Sequence, residues 1–293
     1  MKAQIIDGKA VAAQIREEIQ EEIKKLDPQK SPPGLAVILV GEDPASQVYV
    51  RSKGKACQQV GINSITLEFP ATMTQGDLLS EIERLNNDAN YHGILVQLPL
   101  PPHIDSQKII ESITPEKDVD CFHPFNVGRL VIGMSIFEPA TPAGIVELLK
   151  RYKIPTSGKH VVIVGRSNIV GKPLANLLVQ KNANANALVT VVHSAAGDLS
   201  RFTREADILV AAIGRAEFIK GNMVKKDAVV VDVGVNRVDT PTPKGYRLAG
   251  DVAFDEVAEV AGYITPVPGG VGPMTIAMLL KNTMKAYQIQ KGN

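Results

Sequence analysis

The sequence predicts an α/β protein of two domains, the second a Rossmann-like doubly wound parallel sheet. Three observations carry that expectation. The chain has 293 residues, more than one hydrophobic core usually fills. Short apolar runs such as "LAVILV", "HVVIVG" and "DAVVVDVGV" suit strands buried on both faces. Segments with helical spacing stand between them, and that alternation implies parallel strands joined by helices. The expected domains are residues 1–140 plus 270–293, and residues 141–269, with the last helix returning to the first domain.

Asp7 can cap a helix whose apolar stripe is Val11, Ile15, Ile19, Ile23 and Leu26. "GLAVILVG" (34–41) reads as a buried strand. Pro44 opens a helix through about Val60, because proline fits a first helical turn. "INSITLEFP" is a strand, "TQGDLLSEIERLNND" a helix, "GILVQLPLP" (93–101) a strand closed by prolines, and "SQKIIESI" a short helix. "KDVDCFHPFNVGRLVIG" is rich in turn formers and reads as irregular, and "TPAGIVELLKRY" reads as a helix. A second alternating series follows: "HVVIVG", helix "KPLANLLVQK", strand "ALVTVVHS", a helix near 200–205, then strands "DILVAAIG" and "DAVVVDVGV". "NANANA" (182–187) reads as a surface loop, and the last helix is expected over 274–289.

Composition excludes several classes. Net charge is +1, with no basic excess to suggest nucleic acid or an anionic membrane surface. Tryptophan is absent and aromatics are 4%, which disfavours a base-stacking surface. The apolar runs are too short to span a bilayer, and the charged N-terminus does not read as a signal peptide. Two cysteines, Cys57 and Cys121, with no CxxC, point to a reducing cytoplasm.

"HVVIVGRSNIVGKPLANLL" has the strand–turn–helix form of a nucleotide-binding turn. Gly165 holds the first glycine position, Ser167 replaces the second, and Gly171 comes one residue late. Gly165 still permits the turn, and a helix N-terminus offers N–H groups to a pyrophosphate. An ordinary strand–helix turn is the plain alternative. NAD sites usually place an acid about 20 residues further on. Here the next strand ends in "VVHS", with His193 and Ser194, while Arg166 lies in the turn. A guanidinium and a hydroxyl suit a 2′-phosphate, so NADP is expected over NAD.

"YVRSK" sets Tyr49 and Lys53 one turn apart on a helix face. A solvent-facing pair is the plain reading. The same spacing occurs in short-chain dehydrogenases, but there the nucleotide turn comes first, and here it follows by more than a hundred residues. A lysine in a partly buried cleft can lose its proton near neutral pH and act as a base. Gln97 falls at the carboxyl end of a buried strand, where α/β sheets bind ligands. Of Asp118 and Asp120 in "KDVD", one could cap a turn and the other hydrogen-bond a polar heterocycle. Only His123 lies near them, so no metal site is expected. "TPVPGGVGPMT" (265–275) packs three prolines and three glycines before the last helix. Gly269 and Gly270 are expected to allow unusual backbone and to keep side chains away from a ligand. The prolines reduce the entropy of holding that shape.

Together "VGEDPASQVYVRSKGKAC", "GILVQLPLP", "KDVD", "VVIVGRSNIVGKP" and "YITPVPGGVGPMT" resemble the bifunctional methylenetetrahydrofolate dehydrogenase/methenyltetrahydrofolate cyclohydrolase family, in order from about residue 3 to 289. The resemblance implies oxidation of 5,10-methylenetetrahydrofolate with NADP and hydrolysis of the methenyl product to 10-formyltetrahydrofolate, in the short two-activity form. It implies Lys53 as key catalytic residue with Gln97 near it, Tyr49 beside the folate and Asp120 binding the pterin, the four forming the catalytic set. Tyr49, Gln97, Leu98, Asp120, Pro268, Gly269 and Gly270 would meet the folate. Gly165, Arg166, Ser167, Ser194, Gly234, Val235 and Thr275 would face NADP. A cytoplasmic homodimer is implied as well. Cys121 stands where the family usually has glycine. Two alternatives stay open: an NADP dehydrogenase of another small substrate using the Tyr49/Lys53 pair, and a nucleotide-sensing module without catalysis.

Overall fold

The computed structural model describes residues 2–241 and 245–292. The chain opens with β1 (Gln4–Ile5) and α1 (Gly8–Lys24). Asp7 caps α1, its Oδ1 accepting the Ala10 N–H at 2.9 Å, and Val11, Ile15 and Ile19 are buried. Two compact units follow, Ala13–Ala140 with Ile276–Asn293, and the residues up to Ala12 with Thr141–Thr275.

The first of these units is built on three parallel strands in the order β3-β2-β4: β2 (Gly34–Val40), β3 (Asn63–Phe69) and β4 (Gly93–Val96). Every residue of β2 and β4 is buried, as expected for a central parallel strand and its covered neighbour. The helices are α2 (Pro44–Val60), α3 (Gln75–Asn87), α4 (Ser106–Ser112) and α5 (Pro124–Val131). Leu78, Ile82 and Leu85 of α3 and Ile109 of α4 pack on Ile38, Val40, Ile94 and Val96. Helix α5 falls in the segment expected to be irregular. Its local signals are a cap and a proline: His123 Nδ1 accepts the Phe125 N–H at 3.0 Å, and Pro124 starts the helix.

The other unit carries α6 (Ala140–Arg151), β5 (His160–Val164), α7 (Gly171–Leu178), β6 (Leu188–Val192), α8 (Ser200–Thr203), β7 (Ile208–Ala211), β8 (Val229–Asp232), the antiparallel pair β9 (Asn236–Asp239) and β10 (Tyr246–Ala249), α9 (Phe254–Ala258) and β11 (Tyr263–Ile264). Its sheet has six parallel strands in the order β1-β11-β8-β7-β5-β6. Strand order reverses between β5 and β7, the mark of a doubly wound fold whose ligands bind beyond the carboxyl ends at that point. The pair β9–β10 was not foreseen, because its exposed, charged residues lack an apolar alternation.

These units depart from the expected boundaries. Residues up to Ala12 go with the six-stranded sheet because β1 lies parallel to β11, with Gln4 opposite Tyr263. Helix α10 (Val271–Lys291) starts three residues before the expected 274, so Val271–Thr275 is helical and not loop. Pro273 sits in its first turn, where a missing N–H costs nothing. In "NANANA", Ala185 and Ala187 are buried, and Ala185 accepts the Thr156 hydroxyl at 2.8 Å, so this segment is anchored and not a free surface loop.

The C-terminal part of α10 belongs to the three-stranded unit, as expected of a returning helix. Asn282 Nδ2 donates to the carbonyls of Val119 and Glu138, both at 2.8 Å. Gln290 Nε2 donates to His92 O at 2.7 Å and Glu116 O at 3.0 Å, and Tyr287 packs edge-on against His92.

Candidate active site and nucleotide turn

In the three-stranded unit, separate elements bring Lys53, Gln97 and Asp120 together. Helix α2 is aimed by its ends: Asp43 accepts the Ser46 N–H at 2.7 Å, and Gly61 closes the helix at φ 90°. Gln97 follows β4 directly, its N–H held by Ile38 O at 2.9 Å. Asp120 lies on a strap that runs beside β4, where Ile94 N–H donates to Lys117 O at 2.8 Å, and that Asn282 holds from α10.

Lys53 Nζ donates to Gln97 Oε1 at 3.0 Å. Gln97 Nε2 donates to Leu98 O at 2.8 Å, which fixes the amide so that its oxygen faces the lysine. Burial lowers the Lys53 pKa, opposed by the attraction of Asp120 and, less, of Cys57. Burial pushes Asp120 up to about 6, against the pull of Lys53. Each shift brings the group toward neutrality, the condition for exchanging a proton near pH 7. Asp120 accepts no hydrogen bond from the described residues, so its carboxyl keeps its bonding capacity. Cys57, one turn beyond Lys53, is buried with its thiol pushed up to about 11, which makes it an inert packing group. Tyr49 lies one turn before Lys53 and is 43% exposed.

Of the two aspartates, one caps a turn, as expected of one of them. Asp118 is the capping one: it accepts the N–H of Phe122 at 3.2 Å, the N–H of His123 at 2.9 Å and the Asn126 amide at 2.8 Å. Cys121 has φ 59°, the left-handed region that glycine enters freely. Its Sγ donates to Phe137 O at 3.2 Å. Among the described residues, no group of three or more His, Cys, Asp or Glu side chains is placed to hold a metal ion.

In the six-stranded unit, Gly165 ends β5 at φ 133°, and a Cβ there would collide with Ala212 O beyond β7. The turn and the residue after β7 therefore flank the point where strand order reverses. Gly171, one residue late for the regular pattern, has its own reason: its Cβ would strike Gly165 O. Ser167 Oγ accepts the N–H of Val170 at 3.1 Å and of Gly171 at 3.4 Å, so it already caps the turn. Arg166 and Ser194 are exposed at the ends of β5 and β6, as is Val235 after β8. Gly234 is buried. Thr275, inside α10, shares a hydrogen bond of 2.8 Å with Thr141.

In the loop before α10, Gly269 has φ 111° and Pro268 is exposed. Gly270 does not need a left-handed conformation, contrary to expectation. It is glycine because a Cβ would lie 2.6 Å from Pro266 O and 2.8 Å from Thr265 Cβ. Its backbone also packs on α1, where a side chain at Gly8 would strike Gly270 O.

Profiles of the tetrahydrofolate dehydrogenase/cyclohydrolase family match both parts of the chain, the catalytic domain over residues 6–120 and the NAD(P)-binding domain over residues 139–291. The chain belongs to this family. It is 58% identical to the bifunctional protein FolD of Prosthecochloris aestuarii, over 97% of each chain. The crystal structure of the bifunctional FolD dehydrogenase/cyclohydrolase of Campylobacter jejuni is 49% identical, covering 98% of this chain and 99% of that one, with a TM-score of 0.93. The Trypanosoma brucei dehydrogenase-cyclohydrolase, solved with NADP cofactor and inhibitor, is 44% identical over 100% of both chains, with a TM-score of 0.94. Asn282, which supports the strap carrying "KDVD", was not singled out from the sequence. The available signal was a lone amide inside the apolar run "IAMLLKNTMKAY".

Proposed function

We infer that this chain is an NADP-dependent methylenetetrahydrofolate dehydrogenase and methenyltetrahydrofolate cyclohydrolase. It oxidises 5,10-methylenetetrahydrofolate to the methenyl cation and adds water to give 10-formyltetrahydrofolate and a proton. Family membership through both domain profiles carries the reading. The nucleotide turn fits a dinucleotide: Gly165 leaves room that a side chain would fill, and Arg166 and Ser194 stand free beside it. Bound NADP supplies the hydride acceptor.

The two steps ask different things of the protein. Hydride leaves a carbon flanked by two nitrogens, so the cation is delocalised and positioning dominates. Hydrolysis requires a proton to leave the attacking water. We assign Lys53 as the group that takes it, because burial favours its neutral form and Gln97 fixes its position. Asp120 tunes the lysine by its charge and offers an open acceptor to the pterin. Tyr49, exposed on the same helix face, borders the folate. Gly165, Arg166, Ser167, Ser194, Gly234, Val235 and Thr275 are assigned to the nucleotide.

We also propose a homodimer in the cytoplasm. β6 ends the six-stranded sheet and presents Leu188, 65% exposed, and Val191, 37% exposed. Light scattering behind a sizing column tests this state, and a monomer at micromolar concentration overturns it. No helix of the described residues is long and apolar enough to cross a membrane.

One absorbance assay tests the activity. Purified protein is mixed with 5,10-methylenetetrahydrofolate and either NADP or NAD, and the sample is then acidified to reveal methenyl product. Fast NADPH formation without methenyl build-up is expected. No reduction with either nucleotide overturns the reading.

A further inference from the structure

Two fully folded-in carboxylates lie under the loops that follow β7 and β8. Asp251 is completely buried. Its Oδ2 accepts the N–H of Ile213 at 2.6 Å and of Gly214 at 2.9 Å. Its Oδ1 accepts the N–H of Arg215 at 2.9 Å and the Asn236 amide, also at 2.9 Å. Three consecutive backbone donors thus converge on one carboxylate, a concave arrangement that otherwise binds free anions. Asp232, at the end of β8, supports it from below: its Oδ1 accepts the N–H of Gly234 at 3.0 Å and of Asp251 at 2.9 Å, and its Oδ2 that of Val252 at 2.9 Å. The glycines around the pair match it. A Cβ at Gly234 would strike the Asp251 carboxylate, and one at Gly250 would strike that of Asp232.

Ala212 directly follows β7 and lies against Gly165, and residues 213–215 continue from it. Gly234 and Asn236 flank Val235 after β8. We propose that Asp251 is a positioning residue for nucleotide binding, its buried carboxylate clamping residues 213–215 and Asn236 in the shape the dinucleotide meets. This inference rests on the NADP-dependent reading above. A carboxylate saturated by fixed donors holds the loop before any ligand arrives, so binding does not incur the entropy of ordering it. An amide in its place has one acceptor oxygen, and its NH₂ opposes backbone N–H groups that need an acceptor.

The test is Asp251→Asn, assayed for both activities. The expected result is a KM for NADP raised at least tenfold, with kcat at saturating NADP and nucleotide-free cyclohydrolase activity on the methenyl substrate both within about twofold of wild type. An unchanged KM for NADP overturns the proposal. So does a parallel fall of both activities, which would mark Asp251 as a general structural residue. Should Asp251→Asn not fold, hydrogen exchange on the nucleotide-free wild type decides. The amides of Ile213, Gly214 and Arg215 should be protected like those of β7, and rapid exchange there overturns the clamp. If the wild type itself binds no NADP, the parent reading fails, and this is seen in the control before any variant is compared.

Discussion

The Lys53–Gln97–Asp120 cluster and the Asp232–Asp251 pair both bury charge, and they use it in opposite ways. Burial pushes Asp232 up to about 7 and Asp120 up to about 6. Displaced titration therefore does not separate the carboxyl proposed to meet a substrate from one that holds a loop. Remaining bonding capacity does. Asp232 accepts three backbone N–H groups and Asp251 accepts three plus an amide. Asp120 accepts none from the described residues, and Lys53 keeps one side-chain partner that is itself neutral. The groups proposed to meet a substrate are underbonded, and the groups that shape a backbone are saturated.

The largest expected effect comes from deleting the lysine proposed to take the proton. Lys53→Met should cut cyclohydrolase activity on the order of 10³-fold, in the range for loss of a general base. Dehydrogenase activity should fall much less, because hydride transfer depends on positioning. Equal loss of both activities would break the contrast between an acid–base region and a binding region.

Gly270→Val comes next. The substituted side chain overlaps Pro266 O and Thr265 Cβ, so the loop itself must shift. Overpacking of this kind costs about 2 kcal/mol, and the melting temperature should fall by several degrees along with turnover. Wild-type stability and turnover in that variant would show that the loop is an ordinary pliable turn.

Asp120→Asn sharpens the comparison through pH. The Asp120 charge raises the Lys53 pKa, opposing the burial that lowers it. Removing the charge leaves burial unopposed, so Lys53 loses its proton at lower pH. The rising limb of cyclohydrolase rate against pH should move to lower pH. A limb that stays in place would separate Asp120 from the titration of Lys53.

The smallest effect concerns Cys121. Glycine takes φ 59° without strain and alanine only at a cost, while both lose the thiol contact to Phe137. Cys121→Gly should therefore be more stable than Cys121→Ala by about 1 kcal/mol in denaturant midpoint experiments. Equal stability would mean that the strap relaxes out of the left-handed region.

Much of the fold is legible in the residues themselves. Pro44–Val60 forms a helix as its opening proline suggests, and Asp7 caps where expected. The parallel strands follow from apolar runs too short and too uniform for anything but a covered sheet. Helix α5 and the β9–β10 pair were missed because their stabilising contacts are a histidine cap and cross-strand pairing, neither of which leaves an apolar period. Lys53, Gln97 and Asp120 could be named as candidates one at a time, from a helix face, a strand end and a turn. Their meeting was implied by the family resemblance alone and not by local pattern, because residues 44 and 23 positions apart come together only when β4 and its neighbouring strap lie beside α2.

The sequence by itself determined the alternation of strands and helices, the glycine at the nucleotide turn and the family to which the motifs point. These depend on local spacing and backbone geometry, which neighbouring residues encode. Tertiary structure alone decided that the opening residues join the second sheet, that Asp118 caps while Asp120 stays open, and that Asp251 holds residues 213–215. Each of those depends on which buried donor finds which acceptor, and burial exists only once distant parts of the chain have packed.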